Sequence, residues 1–150
     1  MEKVFENFTV SIMKLNKLVN KIKAYEMREY ALKAVHVMCV YYLKENPEGL
    51  RFSELVKLTF EDKAAISRAL TLLRDKGFVN YDKNKYNSVI SLTDEGLKVA
   101  AFIEEKSVAA VEAGSAVLSD EERVLFYKSL QSIADNLTSY YKNLKNVAKS

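Results

Sequence analysis

Both ends of the chain carry apolar residues at alternating spacings of three and four. The first row is Phe5, Phe8, Ile12, Leu15, Val19 and Ile22, and the second is Phe126, Leu130, Ile133, Leu137, Tyr140, Leu144 and Val147. This spacing puts one apolar row along a helix that packs on another helix. We therefore predict long helices over residues 1–26 and 118–150, the second opened by a capping box from Ser119 to Glu122. The rows either pack on each other within one chain or join two copies in a dimer.

The segment between these ends predicts three shorter helices. Residues 27–44 are rich in apolar side chains, and Pro47 soon afterwards disfavours continuation of the helix. Residues 52–58 form a short amphipathic pattern. Residues 63–76 form another, with Asp62 as its N-cap and Gly77 at its end. Two short helices across a tight turn predict a helix-turn-helix.

A β-hairpin and a connecting helix follow. Residues 78–81 and 88–92 are rich in β-branched and aromatic residues and flank a polar segment, which predicts a hairpin with a charged tip. Thr93 is a good N-cap for a helix that runs to about Val117. The fold class is therefore mainly α with a small β-hairpin wing, a winged helix-turn-helix. We expect a single domain over residues 1–150, with its core in 27–93 and a connecting helix in 93–117.

Composition removes several classes of function. The 150 residues include 49% hydrophobic and 29% charged residues but only 4 Gly and 1 Pro, which is typical of soluble helical proteins. The sequence has no apolar run long enough to span a membrane, and its first residues do not have the pattern of a signal peptide. We therefore expect a cytoplasmic protein without a membrane partner. A single cysteine, a single histidine and no glycine-rich phosphate loop leave no metal site, no cofactor site and no catalytic residues. We expect no enzyme.

Charge and side-chain size point to nucleic acid. The net charge is +3, and residues 51–86 are the most basic part, with eight basic and five acidic residues. On the helix 63–76 the apolar face consists of Ile66, Ala69, Leu70 and Leu73, and the opposite face consists of Lys63, Ala64, Ser67, Arg68 and Thr71. Short side chains around one arginine fit the major groove, where arginine can contact guanine with two hydrogen bonds. The hairpin tip adds Lys83, Lys85 and Tyr86, which suit contact with phosphates. A solvated helix face beside an ordinary lysine-bearing turn is the alternative.

The chain resembles the MarR family of winged helix-turn-helix transcription regulators. The likeness rests on Asp62–Arg68 (DKAAISR), Leu73–Val79 (LRDKGFV) and Ser91–Gly96 (SLTDEG). It implies a homodimer formed by the terminal helices, a recognition helix over residues 63–76 in the major groove, and a wing over residues 81–89 on the backbone or in the minor groove. The implied function is that of a transcription regulator that binds a specific sequence in double-stranded DNA. The implied mode is repression from a palindromic site. A small-molecule effector of unknown identity is a candidate further partner.

The wing departs from the family pattern. Family wings carry an Asp and an Arg two positions apart near the tip, where this chain has Asn84 and Tyr86. The neighbouring Lys83 and Lys85 each carry a single charge on a flexible side chain, whereas an arginine ends in a planar guanidinium with several hydrogen-bond donors. The alternative function is a winged-helix protein-interaction module that has lost DNA binding.

In the helix 27–44, the apolar context of Cys39 indicates a buried small hydrophobe, and His36 is expected to be a hydrogen-bonded core or interface histidine.

Overall fold

The computed structural model describes residues 2–147, apart from the side chains of Glu2 and Phe5, and confirms the predicted fold class. Residues 1 and 148–150 of the predicted terminal helices, and the side chain of Phe5 in the first apolar row, lie outside the described part. The chain divides into two compact units, Met1–Val108 and Ala109–Ser150. Within residues 2–147, no helix is both long and apolar enough to cross a membrane.

The first unit opens with the long helix α1 (Glu2–Glu26), followed by a single 3-10 turn (Arg28–Tyr30) and helix α2 (Ala34–Glu45). The prediction of one helix over 27–44 is therefore wrong at its start. Ala31 adopts a left-handed conformation with φ 52°, which interrupts the helix. The interruption turns the chain so that Met27 and Leu32, on either side of it, both enter the core. The helix restarts where the imidazole Nδ1 of His36 accepts the backbone N–H of Lys33 at 2.8 Å.

The predicted helix-turn-helix is present as α3 (Phe52–Thr59) and α4 (Lys63–Asp75). The side chain of Asp62 accepts the backbone N–H of Ala65 at 2.7 Å, as expected of an N-cap. Helix α4 ends one residue earlier than predicted, and Gly77 then takes a left-handed φ of 76° that reverses the chain.

The wing belongs to a three-stranded antiparallel sheet of order β1-β3-β2, with β1 at Leu50–Arg51, β2 at Val79–Asn80 and β3 at Val89–Leu92. The hairpin prediction therefore missed one strand. Strand β1 approaches β3 closely because Gly49 has no side chain: a Cβ there would lie 2.4 Å from Cγ1 of Val89. A two-residue strand directly before a helix is too short for alternation to reveal it.

The core of the first unit fixes which face of α4 is left outside. The buried residues of α4 are those predicted for its apolar face: Ile66, Ala69, Leu70 and Leu73. They share one cluster with buried residues of α2 and with Leu55, Ile90 and Ile103. The opposite face of α4 must therefore point to solvent.

Two long helices complete the chain, α5 (Asp94–Ser115) and α6 (Asp120–Val147). The hydroxyl of Thr93 accepts the backbone N–H of Gly96 at 3.0 Å, which confirms the predicted cap, although α5 ends two residues before Val117. The capping box before α6 is also confirmed, with the backbone N–H of Ser119 donating to Glu122 at 2.8 Å and the reverse bond at 3.3 Å.

The predicted apolar rows of α1 and α6 are exposed on the surface of the single chain. On α1, the row from Phe8 to Ile22 has exposed fractions of 38 to 51%; on α6, the row from Phe126 to Leu144 has 37 to 62%. Such long rows of exposed large apolar side chains are unusual for a soluble monomer.

Candidate nucleic-acid interface

The solvent-facing side of α4 presents the five residues predicted for it. Lys63, Ala64, Ser67, Arg68 and Thr71 are all exposed. Within residues 2–147, Arg68 has no ion-pair partner, so its guanidinium is available to a ligand. The hydroxyl of Thr71 donates to the carbonyl of Ser67 at 3.0 Å and is partly used within the helix. The surface combines short side chains with one long planar cation.

The wing tip is folded around Asp82. Its carboxylate accepts the backbone N–H of Asn84 at 2.9 Å, and its carbonyl accepts the hydroxyl of Ser88 at 2.8 Å and the backbone N–H of Lys85 at 3.3 Å. This Asx-type turn leaves Lys83, Lys85 and Tyr86 exposed, as predicted, with Tyr86 98% exposed. Because the bonds use backbone groups and the short side chains, the charged ends of both lysines remain available.

Two further arginines, Arg51 and Arg74, contact the wing. Nη1 of Arg51 donates to the carbonyl oxygen of Asn87 at 2.6 Å. Nη1 of Arg74, near the end of α4, donates to the hydroxyl of Tyr81 at 3.3 Å, and its guanidinium lies 5.2 Å from the centre of that ring. The sequence signal for both is weak, because each contact depends on where β1 and β2 run in space.

A pocket of about 170 Å³ lies between α4 and the wing. Its lining brings together three predicted residues, Ser67 of α4 and Lys83 and Lys85 of the tip. The other predicted residues, Lys63, Ala64, Arg68, Thr71 and Tyr86, do not line it. The solvent-facing side of α4 and the wing tip therefore meet at one concave surface, which is lined by Ser67, Lys83 and Lys85.

The remaining candidate residues are structural. Cys39 is fully buried, and burial, reinforced by the negative charge of Glu61, raises the pKa of its thiol to about 12. The prediction of a buried small hydrophobe is confirmed. His36 is buried with its Nδ1 hydrogen-bonded, as predicted, and burial together with the positive charges of Lys33 and Lys76 lowers its pKa. Residues 2–147 contain no group of three or more His, Cys, Asp or Glu side chains that could hold a metal ion.

Comparison with known proteins finds similarity in structure alone. No protein-family model matches the sequence, and no curated protein sequence is similar to it. The fold is similar to that of a MarR protein from Peptoclostridium difficile DA00132, with a TM-score of 0.83 and 24% identity over 92% of each chain. A MarR transcriptional regulator from Methanosarcina mazei Go1 also has a TM-score of 0.83, with 19% identity over 89% of this chain and 91% of the other.

A further similar structure is a complex with DNA. The S. aureus MepR–DNA complex matches with a TM-score of 0.76 and 15% identity over 87% of this chain and 97% of the other. These likenesses extend along nearly the whole chain and confirm at the level of the fold the resemblance that the sequence motifs indicate. The chain thus has the winged helix-turn-helix fold of the MarR transcriptional regulators.

Proposed function

We propose that this protein is a transcription regulator of the MarR type that binds a palindromic site in double-stranded DNA as a homodimer. The observation that carries the proposal is the joint surface of α4 and the wing: a helix face of short side chains around Arg68, beside a tip that presents two lysines. The structural similarity to a regulator solved in complex with DNA supports it.

Helix α4 is the proposed recognition helix. The major groove is about 12 Å wide and admits a helix whose outward side chains are short. Ala64, Ser67 and Thr71 meet this requirement, while Lys63 and Arg68 supply charge. Arg68 is assigned the direct contact with a base, because a guanidinium can donate two hydrogen bonds to guanine.

The wing, residues 81–89, is proposed to lie on the DNA backbone or in the minor groove. Lys83 and Lys85 would contact phosphates, which raises affinity without reading sequence. Tyr86 would pack on sugar or donate one hydrogen bond, without the charge that an arginine would bring.

The exposed apolar rows support the homodimer. We assign residues 1–26 and 118–150 to dimerisation, 27–93 to DNA binding and 93–117 to the connection between them. A two-fold axis then presents two recognition helices to two half-sites, about 10 bp apart centre to centre or a near multiple of it. From the resemblance to the MarR family we also expect the protein to act in the cytoplasm as a repressor that a small-molecule effector releases from DNA. We expect neither a cofactor nor catalytic activity.

Selection of bound genomic fragments, followed by binding isotherms on the selected site, tests the proposal. Arg68→Ala should weaken specific binding by about 1–3 kcal/mol and relax the preference at one base position in each half-site. Ser67→Ala should cost less. Arg28→Ala is the matched control, because Arg28 is also exposed but lies in the turn after α1, outside the proposed interface.

Two results would contradict the proposal. If Arg68→Ala bound the selected site as tightly as the wild type, α4 would not read bases through this face. If no fragment were selected at all, the alternative of a winged-helix module for protein contact would stand in place of DNA binding.

A further inference from the structure

Arg51 connects the helix-turn-helix to the wing through two hydrogen bonds. Its backbone N–H donates to the carboxylate of Glu54 at 2.7 Å, in the first turn of α3. Its side chain donates from Nη1 to the carbonyl oxygen of Asn87 at 2.6 Å. The same residue pairs with Val89 as part of β1. Arg51 is thus held at the start of α3 while its guanidinium reaches the end of the wing tip.

The contact falls where the tip turns back into the sheet. Asn87 has a left-handed φ of 54°, a conformation that non-glycine residues adopt at turns and that local contacts must maintain. A hydrogen bond from a charged donor is stronger than one between neutral groups. The guanidinium therefore stabilises the carbonyl orientation that this turn requires.

Other hydrogen bonds of the tip are internal to it. The bonds of Asn84, Lys85 and Ser88 all end on Asp82. Among the side-chain hydrogen bonds of residues 2–147, the bond from Arg51 is the one that joins residues 82–88 to a residue outside the tip. The internal bonds give the tip its shape, but they do not fix its direction relative to α4.

We propose that Arg51 is a positioning residue for the wing. It holds the tip in one orientation relative to α4, so that Lys83 and Lys85 reach the DNA backbone while the helix lies in the groove. Arg51 uses its guanidinium within the protein and does not itself contact a phosphate. The role in DNA binding rests on the proposed function, whereas the effect on the wing can be measured in the free protein.

The first test is hydrogen exchange of the free protein. Arg51→Ala should speed exchange of the backbone amides of Asn84 and Lys85, which donate hydrogen bonds within the tip. Exchange in α4 should stay at the wild-type rate, which would show that the fold is intact. Arg28→Ala is the matched control: Arg28 also donates from Nη1 to a backbone carbonyl, that of Tyr25 at 2.8 Å, but far along the chain from the wing. Unchanged exchange at the tip in Arg51→Ala would overturn the proposal.

The second test is a double-mutant cycle on DNA binding. The tip variant Lys83→Ala, Lys85→Ala and Tyr86→Ala is measured with and without Arg51→Ala, at several salt concentrations. Arg51→Ala alone should lower affinity and flatten the salt dependence, because the lysines are no longer held at the phosphates. In the tip variant, Arg51→Ala should have little further effect.

The outcomes separate this inference from the proposed function. The losses of binding free energy from Arg51→Ala and from the tip variant could instead add fully, with Arg51→Ala lowering the slope of log K against log salt in both backgrounds. Arg51 would then contact a phosphate itself, which would overturn the positioning role. If the tip variant bound DNA like the wild type, the proposed wing contact would be wrong, and the exchange experiment would still decide whether Arg51 positions the tip.

Discussion

Two glycines of α5 differ in the space around them. A Cβ at Gly96 would lie 1.9 Å from the carbonyl oxygen of Phe78, the same oxygen that accepts the backbone N–H of Thr93. A Cβ at Gly114 would have no neighbour within 4 Å. The close approach of α5 to the end of α4 and the start of the wing therefore depends on the absence of a side chain at Gly96.

Alanine at these two positions should change stability in opposite directions. Gly96→Ala should lower the free energy of unfolding by about 1–3 kcal/mol, because the helix must move away from Phe78. Gly114→Ala should raise it by about 0.5–1 kcal/mol, since alanine is the better helix former and nothing obstructs it. Urea denaturation measures both. A neutral Gly96→Ala would contradict the close contact.

His36 predicts a dependence of stability on pH. Its lowered pKa means that the neutral imidazole is favoured in the folded protein, where Nδ1 accepts the backbone N–H of Lys33. Its contribution is therefore present above the ordinary pKa of about 6.5 and is lost as the pH falls through the lowered value. Protonation removes the acceptor and adds a charge near Lys33 and Lys76.

The measurement compares the wild type with His36→Gln between pH 8 and pH 5. Glutamine at this third helical position can accept the same N–H but does not titrate in this range. On acidification the wild type should lose more stability than the variant, because only the wild type must take up a proton at this position on unfolding. If the free energies of unfolding of the two proteins differed by the same amount at every pH, protonation of His36 would not be the cause of the pH dependence.

The charged wing tip should raise the affinity for DNA and contribute little to sequence specificity. Lys83→Ala with Lys85→Ala should weaken binding to the selected site and to random DNA by a similar factor. It should also flatten the dependence of log K on log salt by about 0.9 for each phosphate that a lysine no longer neutralises. Isotherms at several salt concentrations provide the slope. An unchanged slope would exclude phosphate binding by the tip.

The elements also show what the sequence could and could not predict. The caps at Asp62 and Ser119 and the buried face of α4 follow from local chemistry and periodicity, so they were predictable. Strand β1 and the turn around Ala31 depend on tertiary contacts, which override local pattern. The contact of Arg51 with Asn87 joins residues far apart in sequence, and only the folded sheet brings them together.

For the whole molecule, the exposed rows of α1 and α6 predict a dimer. Sedimentation at micromolar concentration should give twice the chain mass of 17.1 kDa. Ile133→Glu with Leu137→Glu should dissociate it, because two charges would then lie in an apolar interface. A monomer mass at all concentrations would contradict the prediction.

The control adds the same charge to the same helix at polar positions. Ser132→Glu with Asn136→Glu changes residues adjacent to the row that are exposed and polar. This variant should remain a dimer and should bind the selected DNA. If both variants dissociated, added charge on α6 would be the cause rather than loss of the apolar row.

The buried thiol of Cys39 makes the molecule convenient for site-specific labelling. A thiol reagent reacts with the thiolate, and a fully buried group with a pKa of about 12 presents almost none at neutral pH. A cysteine introduced at an exposed position such as Asn84 would therefore be the reactive one, without removal of the native residue. A fluorophore pair attached in this way to the two wings of a dimer would report their separation as DNA binds.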